Sequence, residues 1–315
     1  MDSIRQPNHI VFGKNSVRDF TFPDDCLLIT SKGAKHRGWL DYINLKNFQI
    51  FDDVEPNPSI HTVEKILEKF DGKEISSVIG LGGGSVLDVS KFIANKINKK
   101  KILIPTTFGS GSEVTRISVL KIDGKKKSFH NNSLFADIAI IDENFIEKTP
   151  IQIIKNSAID ACAQCTEAYD SINGNNYTRF FCENAFDILE YAILNQKYEK
   201  LPSGALYAGL GFGNASTTLG HALSYVFSNE GISHGHALAF TTTISHKFNS
   251  SKFYSRFRKV VEKFGFEQIF LKQSYDDAAE IILNDRKHLD NNPKPISKID
   301  IKNLLEIINE KRVFD

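Results

Sequence analysis

The sequence predicts an α/β half built on an open, mostly parallel sheet, followed by a half that is all helix, with the boundary near residue 150. Three observations carry this. An apolar run, Ile75 to Leu81, ends in Gly82-Gly83-Gly84 and passes at once into a pattern in which Val86, Val89, Ile93 and Ile97 share a helix face. Up to Pro150, short apolar runs alternate with helical stretches, as parallel strands with helical crossovers do. Beyond Pro150 no β-branched run recurs with that force, and readable positions such as Phe181, Ala185, Ile188 and Leu189 have helical period.

In chain order, His9-Ile10-Val11-Phe12 reads as a short strand ended by Gly13, and Cys26 to Thr30 as a buried parallel strand that turns at Ser31-Lys32-Gly33. Phe48 to Phe51 is a further strand. Pro56-Asn57-Pro58-Ser59 then breaks the chain and caps a helix carrying Ile60, Val63, Ile66, Leu67 and Phe70 on one face. After the glycine turn and its helix, the strand Ile102-Leu103-Ile104 runs into Pro105 to Glu113, a loop rich in small hydroxyl residues. Ile117 to Ile122 and Ala136 to Ile141 complete the strands, and Asp123-Gly124 is a hairpin dipeptide. Lys125 and Lys127 read as the hairpin's solvated tip. Residues 271–315 are charged and weakly patterned and carry little functional information.

The bulk composition narrows the function classes. With 315 residues, 41% hydrophobic and 24% charged, the chain has the makeup of an ordinary globular protein of two domains. A net charge of +1 gives no global field for nucleic acid or an anionic membrane. No apolar run approaches spanning length, and the N-terminus has no charged-then-apolar signal pattern. Four cysteines at irregular spacing are too few for a disulfide framework, so a reduced cytoplasm is expected.

Strand, glycine turn and helix start bring bare backbone N–H groups to an anion, with the positive end of the helix dipole aimed at it. Ser85 can serve there both as N-cap and as hydroxyl donor to phosphate. The blander reading is a tight βα connection that binds nothing. In the second half, Asp160 and Gln164 stand at i and i+4, so their oxygens leave one helix face together. Downstream come Gly220-His221-Ala222-Leu223-Ser224-Tyr225 and Gly231-Ile232-Ser233-His234-Gly235-His236. One carboxylate, one carboxamide and two imidazoles suffice for a divalent transition metal with an open position. Taken singly, each of these residues is more often structural. Cys162 and Cys165 lack a second pair and read as small core residues.

These ordered motifs resemble the iron-dependent, group III alcohol dehydrogenases, over roughly residues 5–250. The likeness rests on Gly82-Gly83-Gly84-Ser85 with Asp88 and Lys91, on Pro105-Thr106-Thr107 through Gly111-Ser112-Glu113-Val114-Thr115, on the Asp160 helix, and on His221-Ala222-Leu223 and His234-Gly235. The resemblance implies a Rossmann-like dinucleotide-binding domain over residues 1–150 and a helical metal- and substrate-binding domain over 151–315, the architecture shared with dehydroquinate synthase. It implies that Gly82, Gly83, Gly84, Ser85 and Asp88 belong to the pyrophosphate loop, with Thr106, Thr107 and Ser112 flanking the cofactor. By the same likeness Asp160, Gln164, His221 and His234 hold Fe²⁺ or Zn²⁺ facing the nicotinamide.

Two departures from the family's commonest pattern are visible. Gln164 stands where most members have a second ligand histidine, and Tyr225 where many have a further active-site histidine. A neutral carboxamide oxygen is a harder donor than imidazole, so affinity for iron or zinc should fall. Together with Ser224-Tyr225 and Gly124-Lys125-Lys126-Lys127-Ser128, Gln164 resembles one branch, the phosphonoacetaldehyde reductases, which form 2-hydroxyethylphosphonate. A dianionic substrate needs cations, and Lys126, Arg116 and Arg179 are the candidates.

Ser31 occupies the turn where an acidic residue would repel a ribose 2′-phosphate, and Lys32, Lys35 and Arg37 follow, so NADPH is expected over NADH. The expected chemistry is metal-assisted hydride transfer to a small, anionic aldehyde, with Tyr225 or His236 relaying a proton. Rival readings are reduction of lactaldehyde or succinic semialdehyde, and a degenerate member that binds nucleotide without turnover. A homodimer, with no nucleic-acid or membrane partner, is expected.

Overall fold

Short runs of β-branched and large apolar residues pair into a six-stranded, all-parallel sheet, whose strands need helical crossovers to return them to the same edge. In the computed structural model, which describes residues 3–314, the strands of the first half are β1 (His9–Phe12), β2 (Cys26–Ile29), β3 (Phe48–Phe51), β4 (Ser77–Gly82), β5 (Lys100–Pro105), β6 (Ile117–Ile122), β7 (Lys125–His130) and β8 (Ile138–Ile141). The sheet order is β1-β8-β5-β4-β2-β3, and β6 and β7 form a separate antiparallel pair. Helices α1 (Lys32–His36) and α2 (Trp39–Tyr42) join β2 to β3, α3 (Ile60–Lys69) joins β3 to β4, and α4 (Gly84–Lys96) joins β4 to β5.

The central strand β4 is buried along its whole length, as a strand covered on both faces must be. Val63 and Ile66 of α3 and Val86, Val89 and Ile93 of α4 pack with Leu27, Ile29 and Val78 of the sheet, so the helical stripe read from the sequence is the core face. The strand expected over Ala136 to Ile141 is shorter, Ile138–Ile141. Lys125 and Lys127 are not at the hairpin tip. The tip is Asp123-Gly124, both at positive φ, and Lys125 to Lys127 lie along the exposed strand β7, with Lys126 opposite Lys121.

The chain divides into two compact units at Pro150–Ile151. The second contains α5 (Ile151–Asp170), α6 (Asn176–Leu194), α7 (Leu201–Ala215), α8 (Leu219–Asn229), α9 (His234–Asn249), α10 (Tyr254–Phe264), α11 (Tyr275–Leu283), α12 (Arg286–Leu289) and α13 (Lys298–Asn309), and among the described residues no strand. Helix α5 packs against α6, α7 and α9, which buries most of its last three turns. Cys162, Cys165 and Cys182 lie in that packing as free, buried thiols, and burial pushes all three above the ordinary thiol value. No helix among the described residues is long and apolar enough to cross a membrane.

Candidate metal centre and nucleotide loops

In the first unit, β4 ends on Gly82, Gly83 is the N-cap, and Gly84 is the first helical residue of α4. Ser85 is therefore not the cap, because the helix starts one residue before it; its Oγ accepts the Asn57 backbone N–H at 3.2 Å. No side chain caps α4, so its first N–H groups stay available to an anion. A Cβ on Gly83 would come within 2.9 Å of Thr107 Oγ1, so the second loop lies close against the glycine turn. Thr106 is fastened beside it, its N–H donating to Gly82 O at 3.0 Å.

Beneath these loops lies a buried charge cluster. Asp88 accepts from Ser112 Oγ at 2.6 Å and from the Val119 N–H at 2.9 Å, so its carboxylate and the Ser112 hydroxyl are turned to each other. Asp88 thus holds the second loop from below. Fully buried Lys91 donates to the carbonyl oxygens of Ser112 (2.8 Å), Thr115 (3.4 Å) and Ile117, 3.5 Å from Asp88 Oδ1. Glu113, also buried, has its carboxyl pushed up to about 7 by desolvation.

Ser31 precedes α1 in extended conformation. The cations after it are engaged: Lys32 pairs with Asp53 at 2.8 Å, Lys35 with Asp52 at 3.2 Å, and the Arg37 guanidinium lies 4.3 Å over the Trp39 ring.

In the helical unit, Asp160, His221 and His234 converge, each offering one ligand atom, with those atoms within 4.8 Å of one another. The Nε2 atoms of His221 and His234 stand 3.7 and 3.8 Å from Asp160 Oδ1. That is too long for a hydrogen bond, and close to the ~3.4 Å between donors held ~2.1 Å from one tetrahedral ion. Both rings present Nε2 because their Nδ1 atoms are taken, His221 by Glu167 Oε2 at 3.1 Å and His234 by Ser224 Oγ at 3.4 Å.

Gln164 completes the group. Its amide nitrogen donates to Asp160 Oδ1 at 2.9 Å. A carboxylate only accepts, so the amide NH₂ must face Asp160, leaving Oε1 on the other side. That oxygen is buried and without a partner among the described residues. Such an orphan costs about 1–3 kcal/mol unless something binds it. One carboxylate oxygen and two imidazole nitrogens converge as a divalent ion requires, and Gln164, one helix turn on from Asp160 and bonded to its carboxylate, keeps an unsatisfied oxygen.

Glu167 is the residue that sequence reasoning missed here. Buried on α5, it accepts from the Thr218 N–H at 2.6 Å and from Thr242 Oγ1 at 3.1 Å as well as from His221. A Cβ on Gly220 would strike its Oε1, so glycine is required where α8 passes the carboxylate. Burial alone would raise Glu167, but His221 and the Thr218 N–H outweigh it and hold the carboxyl at about 2. Burial alone would lower His221, but Glu167 and Asp160 hold it at about 9.

Tyr225 stacks on His234 at 6.0 Å, and burial pushes its phenol up. His236 is not brought to this cluster: its Nε2 bonds Glu267 O at 2.5 Å and its ring packs on Phe266, because the turn of α9 that presents His234 sends His236 away. The cations expected for the substrate have partners or lie on a strand within their own units. Arg116 donates to Asn132 Oδ1 at 3.3 Å, Arg179 to Tyr169 O at 3.3 Å, and Lys126 lies on exposed β7. Instead His288 of α12 stacks on His221 at 6.2 Å and meets Tyr225 at 5.7 Å, its Nδ1 held by Asp285 at 2.7 Å. The Asp-x-x-His spacing in the charged tail was the available signal.

Comparison with known proteins follows the same division. Residues 7–143 match the family model described as iron-containing alcohol dehydrogenase, and residues 154–302 match that of the C-terminal part of the Fe-containing alcohol dehydrogenase family. A 4-hydroxybutyrate dehydrogenase of Clostridium kluyveri is 33% identical over 57% of this chain and 56% of its own length. The 1-propanol dehydrogenase PduQ of Salmonella typhimurium is 30% identical over 69% of this chain and 64% of its own. The chain thus matches 56% to 64% of the length of these curated relatives. The crystal structure of a sulfoacetaldehyde reductase from Bifidobacterium kashiwanohense, in complex with NAD⁺, superposes with a TM-score of 0.87 over all of both chains at 22% identity, which establishes a shared fold.

Proposed function

The chain belongs to the iron-containing alcohol dehydrogenase family, and on that premise we propose that it is a metal-assisted, NAD(P)H-dependent reductase of a small anionic aldehyde. The observation that carries the reading is the convergence of Asp160, His221 and His234, whose ligand atoms lie within 4.8 Å of one another, with Gln164 hydrogen-bonded to Asp160. These four residues would hold Fe²⁺ or Zn²⁺, and residues 1–150 would bind the dinucleotide on the Gly82–Ser85 turn and the Thr106–Ser112 loop. When bound, the ion supplies Lewis acidity toward the carbonyl and the reduced nicotinamide supplies the hydride. Glu167 and Ser224 keep both imidazoles turned through Nε2. Of the two proton-relay candidates, Tyr225 beside His234 fits and His236 does not. With Lys32, Lys35 and Arg37 engaged, the preference for NADPH rests on Ser31, which does not repel a 2′-phosphate.

Phosphonoacetaldehyde, reduced to 2-hydroxyethylphosphonate, is the substrate favoured by Gln164, Ser224-Tyr225 and the Gly124 to Ser128 segment. A second reading, succinic semialdehyde, is favoured by the relative named for 4-hydroxybutyrate. The test is NADPH and NADH oxidation with both aldehydes and with propionaldehyde, with and without added Fe²⁺, Zn²⁺ and Mn²⁺. Metal-dependent turnover selective for one anionic aldehyde is expected. Turnover of propionaldehyde alone would remove the anionic substrate, and no turnover with any metal would remove the reductase.

A further inference from the structure

Four rings of the helical unit close a circuit at the metal-binding residues. His221 meets His234 edge to face at 5.5 Å, and Tyr225 lies nearly parallel to His234 at 6.0 Å. His288 lies nearly parallel to His221 at 6.2 Å, and Tyr225 and His288 meet at 5.7 Å. All four separations are those at which ring pairs attract. Each of the two ligand imidazoles therefore carries a second ring on its face.

His288 comes from α12, and the structure fixes it firmly. The residue is buried, and its Nδ1 donates to Asp285 Oδ2 at 2.7 Å. Just beyond the helix, buried Asn291 donates to Ala215 O at 2.9 Å and Thr217 O at 3.0 Å, and accepts from Ser171 Oγ at 2.6 Å. Those bonds tie the segment to the end of α5 and to the residues leading into α8, the helices that carry Asp160 and His221. A hydrogen bond at Nδ1 fixes one point of an imidazole and leaves its plane free to tilt. For His221, Glu167 supplies that point and His288 lies on the face.

We infer that His288 is a positioning residue of the metal centre: tethered by Asp285, it sets the plane of the His221 ring and so the direction in which Nε2 points. The inference rests on the reading of Asp160, His221 and His234 as metal ligands, and needs no assumption about the aldehyde.

Two measurements test it without turnover: Co²⁺ binding, read by d–d absorption and chelator competition, and the ring-proton NMR signals of His221 in metal-free protein. His288→Ala should weaken Co²⁺ binding by about 3- to 10-fold, the worth of one stacked pair, shift the d–d bands, and move and broaden the His221 signals. His288→Phe keeps a ring and should restore most of both. Asp285→Ala removes only the tether and should fall between His288→Ala and wild type. Arg286→Met, on the same helix but paired with Asp290, should match wild type. Wild-type affinity, bands and ring signals in both His288→Ala and Asp285→Ala would overturn the inference, as would a loss in His288→Phe equal to that in His288→Ala. A wild type that takes up no Co²⁺ while its His221 signals still depend on His288 would defeat the metal centre and leave the hold on the ring standing.

Discussion

Glu167 does the most at the scale of single residues. One buried carboxylate turns His221, caps the start of α8 through the Thr218 N–H, and ties α9 through Thr242. Its low carboxyl value says the charge is kept inside by those donors. Glu167→Ala should weaken metal binding by about 10- to 100-fold, the usual cost of losing the partner that orients a ligand histidine. Competition against a chromophoric chelator measures it, and unchanged affinity would mean His221 is held some other way. Asp160 and Gln164 were readable because the i,i+4 rule puts them on one face whatever the rest of the chain does. Glu167 was not, because its role depends on Gly220 letting α8 come close, a tertiary fact with no local signature. His288 was passed over because the tail around it is charged and weakly periodic, and the stacking that gives it meaning comes from a helix some sixty residues earlier.

Elements are tied together by buried charges in the nucleotide unit. Lys91 reaches from α4 to two carbonyls of the loop between β5 and β6 and to that of Ile117 at the start of β6, and Asp88 fastens the same loop. Glu113 sits in that cluster with a carboxyl at about 7, against 4.5 for the free group. The folded chain therefore holds this proton more tightly than the unfolded one. Folding stability should fall as pH rises from about 4.5 to about 7 and level off above, by at most about 3 kcal/mol. Glu113→Gln removes that slope, so its melting temperature should gain on wild type between pH 5 and pH 8. A constant difference across that range would show that the Glu113 proton is not linked to folding. The strands and helices themselves were legible from periodicity, except where register decided: Lys125 to Lys127 look like a tip until β7 is paired with β6. Sheet order could not be read, since adjacency of β1 with β8 is set by packing and not by neighbouring sequence.

For the whole molecule, the two families of motifs fall on opposite sides of Pro150, glycine and hydroxyl loops before it and metal-ligand residue types after it. That separation was visible from the sequence pattern, because the change from β-branched runs to helical period coincides with the change in chemistry. The claim on which the rest depends is that Asp160, Gln164, His221 and His234 form one metal site. Anaerobic titration of metal-free protein with Co²⁺, read by its d–d absorption, addresses it directly. One equivalent per chain should bind with the spectrum of a low-coordinate oxygen and nitrogen site, and Asp160→Asn should abolish it. A wild type that takes up no Co²⁺, or an Asp160→Asn variant with the same spectrum and stoichiometry, would contradict the assignment.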